Sequence, residues 1–520
     1  MRAAPVFSLV TPVYEPTLED LQKTIDSVLS QTFGDWEWIL VDDDSPSESV
    51  RTTLRDAARR DRRIRVIERA ENGRIVAASN DGLAQATGEF IALLDHDDLL
   101  TTDALERVSS VVDTFDDVDY IYSDEDKVDQ HGAYFDAFHK PDWSPERLRG
   151  QMYTSHLSVI RRTLVEEVGG FREGYDGSQD HDLVLRVTER GRRVVHIPQV
   201  LYHWRVVEGS VAADVSAKPY AREAGRRAVQ DQLDRLGIGG VVSLVPGFPN
   251  HYRISRSLPR DRRVSIVIPT IGTSASLWGE DCCFVVEAVR SLLGHTEHEN
   301  LEIVVVYDPP TPAEVLAQLR DIAGDKLVLV RYAGAFNFSK KVNLGVVAST
   351  GDRIVALNDD IQVISDHWLE ELVAPLEEPD VGMTGAKLYF SDQTIQHAGH
   401  AYRKGGYFHP FIGYPRENPG SWGSLLINRE CSGVTAACAA MRREVFDEVG
   451  GFSETLPVNF NDVDLSFKVR FRGYRILWLA NCELYHFESR TRIRGIEPWE
   501  HTNSMSRWGH PALDPYLPEF

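Results

Sequence analysis

The sequence predicts an α/β protein made of two tandem domains, each with a mostly parallel sheet. One observation is an internal repeat: "RRTLVEEVGGF" from Arg161 recurs as "RREVFDEVGGF" from Arg442, and each copy is followed by an acidic segment and a Tyr-His pair. The other is that short apolar runs alternate with segments of helical periodicity in both halves, a pattern typical of parallel sheets covered by helices. A repeat of this length indicates that one domain was built twice.

The first half begins with an apolar run, and apolar residues at positions 18, 21, 25 and 28 then follow at the spacing of a helix. We predict strands at 7–10, 38–41, 64–67 and 90–94. The second half repeats this order, with strands predicted at 264–268, 301–306, 327–330 and 354–357. A helix is expected over 219–236, before a stretch rich in Pro, Gly and Arg. We therefore expect a first domain of residues 1–255, with a trailing helical linker, and a second of residues 256–520.

Composition restricts the classes of function. A net charge of −23 argues against nucleic-acid binding, and the arginine clusters at 51–74 and 253–263 are expected to be solvated surface or, alternatively, a patch for a membrane or an anionic acceptor. No run of eighteen apolar residues occurs, and the N-terminus lacks a signal-like segment. The five cysteines are most simply reduced thiols. We expect a cytoplasmic protein whose association with the inner face of the membrane is at most peripheral.

Polar side chains follow the predicted strands in both halves. In open parallel sheets, ligands bind beyond the carboxyl ends of the strands. The groups at those ends are Tyr14, Asp43, Asp95 and Asp97 in the first half, and Thr270, Asp308, Asn358 and Asp360 in the second. The sequence therefore predicts one crevice in each half.

The segment "LLDHDDLL" sets Asp95 and Asp97 two residues apart at the end of a buried strand. Paired carboxylates in that position suit a hard divalent cation that bridges a diphosphate, because Mg²⁺ and Mn²⁺ prefer oxygen ligands. An isolated Asp-x-Asp is weak support, but here it follows an apolar run and the segment "NGRIVAASNDGLAQATGEF".

These motifs together resemble a known family. Pro12-x-Tyr14, "VDDDS", "LDHDD" and "GGF" followed by "QDHDL" resemble an inverting family-2 glycosyltransferase of the GT-A fold, a Rossmann-like α/β fold with a mostly parallel sheet. The second half, with "VSIVIPT", "FNFSKKVNLG", "ALNDD", "IQHAG", "FNDVDL" and "LYHFES", is similar to tandem-domain enzymes of bacterial O-antigen and related polysaccharide assembly. The resemblance runs from about residue 6 to the tail.

The resemblance implies roles for particular residues. It implies that the catalytic bases are Asp180 and Asp462. It implies that the donor nucleotide-sugar is bound by Pro12, Tyr14, Asp43, Asp95, Thr270, Asp308, Asn358 and Asp359. It implies that Mn²⁺ or Mg²⁺ is bound by Asp97, His203, Asp360 and His486. Displacing a nucleoside diphosphate calls for a cation to neutralise the leaving group, and an inverting transfer calls for one carboxylate base.

Several of these residues have plainer interpretations. Asp180 and Asp462 could be carboxylates that complement a helix dipole, the role we favour for Asp182 and Asp464. His203 and His486 each stand between aromatic residues and could be buried hydrogen-bonded side chains. The glycine pairs before each Phe are expected to be turn residues. An acceptor groove could be lined by Gln396, His397 and Trp422, which could equally be core residues.

The second half departs from the family pattern. Asn358 replaces the first aspartate of the acidic motif, and the "YDPPTP" segment around Asp308 lacks the usual short turn. We therefore keep two hypotheses: a bifunctional enzyme that transfers sugars from UDP-, dTDP- or GDP-linked donors to a glycan or lipid-linked glycan, or one active half with the other as a glycan-binding or scaffolding module. A nucleotidyltransferase or a dinucleotide-dependent dehydrogenase is disfavoured, because no Gly-x-Gly-x-x-Gly turn follows the first strand.

Overall fold

The computed structural model describes residues 4–206, 219–487 and 498–518. In the first half, the strands are β1 Phe7–Val13, β2 Trp36–Asp42, β3 Ile64–Glu68, β4 Phe90–Leu93, β5 Leu99–Leu100, β6 Val118–Val128, β7 Tyr134–Phe138, β8 Ser158–Arg161 and β9 Arg193–Arg205. The helices are α1 Leu18–Leu29, α2 Glu48–Arg60, α3 Arg74–Gln85, α4 Ala104–Thr114, α5 Pro145–Gly150, α6 Arg162–Val168 and α7 Gln179–Thr188.

These strands form one mixed sheet in the order β3-β2-β1-β4-β8-β6-β9-β5, with β7 paired to β6. The strands β3, β2, β1 and β4 run parallel, whereas β8 is antiparallel to both β4 and β6. One apolar core lies on each face of the sheet. The parallel strands end side by side, since Val13 pairs with Asp42, and this brings the polar segments after β1, β2 and β4 to one edge.

Helix α8 Pro219–Leu236 and the hairpin of β10 Gly240–Leu244 with β11 Tyr252–Arg256 connect the two halves. The apolar face of α8, which includes Ala228 and Leu233, packs in the same core as Val184 of α7. The helix has the bounds that its sequence predicts.

The second half repeats the first. Its strands are β12 Val264–Thr270, β13 Ser274–Leu277, β14 Glu280–Cys283, β15 Leu301–Tyr307, β16 Leu327–Arg331, β17 Arg353–Leu357, β18 Ile361–Val363, β19 Val381–Tyr389, β20 Ile395–His397, β21 Ala401–Arg403, β22 Gly406–Phe408, β23 Arg429–Glu430, β24 Cys438–Arg442 and β25 Arg475–His486. Its helices are α9 Phe284–Gly294, α10 Ala313–Ala323, α11 Phe338–Ala348, α12 Trp368–Val373, α13 Arg443–Glu448, α14 Asn461–Phe471 and α15 Pro498–Trp508.

The main sheet of this half has the order β16-β15-β12-β17-β24-β19-β25-β18, the same path as in the first half. The predicted α/β class and mostly parallel sheets are therefore confirmed. All eight predicted strands exist, and their bounds differ from the predictions by at most a few residues. Six of these apolar runs form central strands, whereas β3 and β16 are partly buried edge strands.

Matching hydrogen bonds mark the duplication. In the first half, the Asn80 side chain donates to Phe171 O at 2.9 Å and accepts from Phe171 N at 2.9 Å. In the second half, Asn343 makes the same pair of bonds with Phe452, each at 3.0 Å. The bonds join α3 to the segment after α6, and α11 to the segment after α13. The glycine before each Phe has a positive φ, 66° for Gly170 and 61° for Gly451, which confirms the predicted turns.

A buried network of charges joins the halves. Arg256 Nη2 lies 2.6 Å from Glu146 and 2.7 Å from Glu378, and Arg149 Nη1 lies 2.8 Å from Glu378. Arg475 Nη1 lies 2.7 Å from Glu430, whose carboxylate also accepts from Glu146 N. Burial alone would raise the pKa of Glu146, but the neighbouring arginines lower it to about 2. Each of these carboxylates is therefore paired with an arginine, and the pair of Arg149 with Glu378 joins the first half to the second.

Candidate active site

A cavity of about 1410 Å³ opens at the carboxyl ends of the parallel strands in the first half. Among its lining residues are the predicted donor and base residues Pro12, Tyr14, Asp43, Asp95, Asp97 and Asp180. They come from the segments after β1, β2 and β4 and from the first turn of α7. The fold thus gathers distant parts of the chain around one space, as expected for ligand sites of parallel sheets.

Asp43 follows β2 and is held by a cation. Its Oδ1 atom accepts from Arg69 Nη1 at 2.5 Å and from Gly73 N at 2.9 Å. The side chain is 4% exposed. Both of these hydrogen bonds fall on Oδ1 of the carboxylate, and each carboxylate oxygen can accept further hydrogen bonds.

The acidic segment after β4 has three different carboxylates. The Asp95 side chain is 41% exposed. Burial raises the pKa of Asp97. Asp98 is fully buried and accepts hydrogen bonds from Tyr202 Oη at 2.5 Å and from Arg205 N at 2.7 Å. Burial raises the pKa of Asp98 well above its usual range, and the charge of Asp95 adds to this effect. Of these three carboxylates, Asp95 and Asp97 line the cavity.

His156 also lies at this segment. Its Nε2 atom is 3.9 Å from Asp95 Oδ2, and its ring stacks on Tyr202 with centroids 4.6 Å apart. Asp95, Asp98 and His156 each offer one atom within 4.8 Å of the others, a grouping that could hold a metal ion. Sequence analysis missed both Asp98 and His156. Asp98 adjoins the predicted motif, whereas no pattern around His156 indicates a ligand.

The predicted ligand His203 has other contacts. Its Nδ1 atom lies 2.5 Å from Asp126 Oδ1, and its ring lies against Tyr134 with centroids 4.2 Å apart. The cavity is lined by its neighbours Trp204 and Arg205. The structure therefore brings Asp97 to the cavity and directs this imidazole toward Asp126.

Asp180 lies in the first turn of α7 at the cavity wall. Its pKa is raised to about 6, mainly by burial and to a smaller extent by the nearby Asp95, against an opposing effect of His156. Gln179 Nε2 donates to Asp180 Oδ2 at 2.9 Å. The neighbouring Asp182 is fully buried in ion pairs with Arg172 and Arg186, which is a structural role.

In the second half, the predicted donor residues lie at the ends of β12, β15 and β17. Lys341 Nζ donates to Asp308 Oδ2 and to Thr270 O, both at 2.9 Å. Thr270 Oγ1 donates to Asp359 Oδ2 at 2.6 Å. Burial, with the adjacent Asp360 as the second cause, raises the pKa of Asp359 to about 7. Asp308 and Asp43 are therefore both paired with a cation.

His486 connects the remaining polar groups of the second half. Its Nε2 atom lies 3.2 Å from Asp360 Oδ1 and 3.1 Å from Asn358 Nδ2. Its Nδ1 atom lies 2.7 Å from Gln396 Oε1. The structure thus brings two predicted metal residues together with the residue that replaces the first aspartate. Gln396, predicted as an acceptor contact, thus contacts the imidazole of His486.

Asp462 occupies the first turn of α14, the position that Asp180 has in α7. Its Oδ1 atom accepts from Val463 N at 2.8 Å and its Oδ2 atom accepts from Ala436 N at 3.3 Å. Asp464 is fully buried and accepts from Trp508 Nε1 at 2.8 Å, so it is structural like Asp182.

The other two predicted acceptor residues lie apart. His397 is 1% exposed and its Nδ1 atom is 2.9 Å from His409 Nδ1. Trp422 lies in the wall of the first half's cavity and stacks on Phe138 with centroids 4.5 Å apart. Its sequence position gave no indication that it would cross to the other half.

The family model described as Glycosyl transferase family 2 matches residues 8–169 and 265–450. The chain therefore belongs to glycosyl transferase family 2, with two tandem domains of the GT-A type. The two matched segments contain most strands of the two duplicated sheets, and they end before β9 and β25.

Two relatives match along almost the whole chain. The uncharacterized protein y4gI of Sinorhizobium fredii is 42% identical over 499 residues, which are 95% of this chain and 54% of that protein. The O-antigen biosynthesis protein RfbC of Myxococcus xanthus is 35% identical over 519 residues, which are 98% of this chain and 40% of that protein. The chain thus spans about half the length of these relatives or less.

Among solved structures, S. aureus TarS 1-349 in complex with UDP-GlcNAc matches with a TM-score of 0.37 and 20% identity, over 44% of this chain and 66% of TarS 1-349.

None of the helices within the described ranges is long and apolar enough to cross a membrane.

Proposed function

We propose that the protein is a bifunctional, metal-dependent inverting glycosyltransferase, in which each half transfers a sugar from a nucleotide-sugar donor to a growing glycan. The observation that carries the proposal is that one cavity in the first half is lined by Asp43, Asp95, Asp97 and Asp180. These residues supply a base contact, a cation site and a proton acceptor around the same space.

The donor end of this cavity is built for a nucleoside diphosphate. The carboxylate of Asp43, oriented by Arg69, would accept from an N–H of the nucleobase, with Pro12 and Tyr14 beside it. Asp95 and Asp97 would hold Mn²⁺ or Mg²⁺, because their carboxylate oxygens are the ligands that these ions prefer. Held by these two residues, such an ion would supply positive charge to neutralise the departing diphosphate.

Asp180 would act as the general base. With a pKa of about 6, it is ionised at neutral pH but is a stronger base than an ordinary aspartate. It would take the proton of the acceptor hydroxyl as that oxygen attacks the anomeric carbon and the bond to the diphosphate breaks. An inverting transfer needs this single base and no covalent sugar intermediate.

The second half carries the same groups in altered form. Asp308 is oriented by Lys341, Asp360 lies beside His486, and Asp462 has the helix position of the base. Asp360 and His486 would hold the cation, with Asn358 contributing an amide in place of a carboxylate. One carboxylate fewer implies weaker cation binding.

Asn358 also favours a second candidate function, in which the second half binds glycan or acts as a scaffold without catalysis. Its side chain contacts His486, so a neutral amide lies at a position where a carboxylate would bind a cation more strongly. Under this alternative the first half alone transfers sugar.

For both candidates, we propose UDP-, dTDP- or GDP-linked sugars as donors and a glycan or lipid-linked glycan as acceptor, without nucleic acid. The match to a protein named for O-antigen biosynthesis supports a role in polysaccharide assembly. A lipid-linked acceptor would keep the enzyme at the cytoplasmic face of the membrane as a peripheral protein.

The test is to assay Asp180→Asn and Asp462→Asn separately, with a panel of nucleotide-sugars, Mn²⁺ and glycan acceptors. Each variant is expected to lose one linkage by about 10²- to 10⁴-fold and to keep the other. Matched controls are the exposed Asp113→Asn in the first half and Asp321→Asn in the second. Full activity in both active-site variants would refute the proposal, and loss only in Asp180→Asn would favour the scaffold alternative.

A further inference from the structure

Three histidines of the second half converge in one cluster. His397 ends β20, His400 precedes β21 and His409 follows β22, so one short segment supplies all three. His397 and His400 are 1% and 0% exposed, and His409 is half-buried. One nitrogen from each ring lies within 4.8 Å of the others.

The three rings have the arrangement of ligands around a single ion. Their centroids form a nearly equilateral triangle with sides of 5.1, 5.2 and 5.4 Å, and their planes cross at 71°, 80° and 87°. A nitrogen-bound zinc ion at about 2.0–2.1 Å lies about 3.2 Å from each ring centroid, and tetrahedral angles then separate the centroids by about 5 Å. The observed triangle matches that spacing.

We propose that His397, His400 and His409 bind a Zn²⁺ ion through three imidazole nitrogens. A set of nitrogen ligands without a carboxylate suits Zn²⁺ and does not suit Mg²⁺ or Mn²⁺, which prefer oxygen. The site is therefore separate in chemistry from the acidic donor sites.

The state of His400 supports the proposal. Neither ring nitrogen of this buried side chain has a hydrogen-bond partner among the described residues. An unpaired buried polar group costs free energy, and a metal ion would use the free lone pair. Burial lowers the pKa of His400 to about 3 and that of His397 well below its usual range, so both rings are neutral, the form that binds metal.

His397 and His409 already share a proton where the ion would lie. Their Nδ1 atoms are 2.9 Å apart, and two nitrogens on one tetrahedral Zn²⁺ lie about 3.3 Å apart. An ion would replace that proton after a small separation of the rings. His397 would then carry its proton on Nε2 and give up the 3.2 Å contact from Thr435 N.

The surrounding charges act in both directions. The negative charge of Asp462 favours a cation at His400, and the positive charge of Arg429 opposes one at His397. Binding therefore depends on the nitrogen ligands, and removing one of them should be decisive.

The test uses the whole chain without added histidine residues, first stripped of metal. Zn²⁺ binding is measured by competition with a chromophoric chelator, and Co²⁺ is used as a probe whose visible absorption reports tetrahedral nitrogen ligation. We expect one bound equivalent. His400→Gln and His409→Gln should each weaken binding by more than about 100-fold, since loss of even an outer-shell partner costs 10- to 100-fold. The exposed His367→Gln is the control and should bind like the parent.

Two further results decide the outcome. His409 is only half-buried, so its variant should fold, which circular dichroism and the melting temperature will check. An Asp97→Asn/Asp360→Asn variant should keep the Zn²⁺ equivalent. The proposal is overturned if the parent retains no Zn²⁺, if both histidine variants bind like the parent, or if the aspartate variant abolishes binding.

Discussion

Trp422, from the second half, stacks on Phe138, from the first half, with ring centroids 4.5 Å apart and planes inclined by 19°. Both rings line the cavity of the first half, and Lys127 Nζ lies 5.5 Å from the indole centroid. The second half therefore contributes a side chain to the wall of the first half's cavity.

This contact predicts the effect of Trp422→Ala. An aromatic contact contributes about 0.5–1.5 kcal/mol beyond the area it buries, so we expect the acceptor KM of the first reaction to rise by roughly 2- to 10-fold with little change in kcat. Initial rates against acceptor concentration will measure it. The half-exposed Trp499→Ala serves as the control, and equal KM values for the two variants would contradict an acceptor role.

A second prediction concerns pH. The pKa of Asp180 is raised to about 6, and a general base works only when ionised. The kcat/KM of the first reaction should therefore be constant above that pKa and fall roughly tenfold per pH unit below it. The measurement is a pH profile of the linkage that Asp462→Asn still forms. A profile without a decline between about pH 8 and pH 5 would exclude Asp180 as the base.

A third prediction separates donor binding from catalysis. Asp43→Asn removes a charge-assisted acceptor for the nucleobase, and such hydrogen bonds are worth about 1.5–3 kcal/mol, so the donor KM of the first reaction should rise by roughly 10- to 100-fold. The neighbouring Asp44→Asn is the matched control, because Asp44 is 44% exposed and asparagine tolerates its φ of 59°. A donor KM that responds equally to both changes would argue against base recognition by Asp43.

The features that could be predicted from the sequence are those that a local residue pattern determines. The strands were predictable because each is a short, mainly apolar run between polar segments. The duplication was predictable because Arg161 and Arg442 begin nearly identical segments. Asp180 and Asp462 were selected by motif, and their equivalent positions on α7 and α14 follow from that repeat.

The remaining features depend on tertiary packing. His156 reaches Asp95 because β8 follows it and pairs with β4, and Trp422 reaches the first cavity only through the docking of the halves. His400 and His409 carry a spacing signal, His-x-x-His followed by a third histidine, but the hairpin of β21 and β22 that closes the cluster was not predicted.

The last prediction concerns the junction of the halves. Glu378 is buried among Arg149, Arg256 and Arg475 at 2.8, 2.7 and 3.3 Å. Glu378→Gln leaves excess buried positive charge, so we expect the free energy of unfolding to fall by about 3–5 kcal/mol. The control is Glu448→Gln. Glu448 forms a half-exposed pair with Arg472, so we expect this change to lower the free energy of unfolding by at most about 1 kcal/mol.

Urea unfolding of both variants will measure this difference, and pH provides an independent check. Burial raises the pKa of Glu378, but Arg256 and Arg149 outweigh burial, so the pKa in the folded protein lies below its usual value. The pKa of Glu146 in the same network is about 2, against an ordinary 4.5.

A carboxyl group whose pKa is lowered by folding stabilises the folded protein fully at pH values above the pKa of the unfolded chain. This stabilisation is lost as the pH falls toward the pKa in the folded protein. The urea midpoint of the parent should therefore drop from about pH 4.5 downward, and Glu378→Gln should show a smaller drop, because it has already lost one of these carboxylates. An identical acid response in the two proteins would mean that the network does not stabilise the junction.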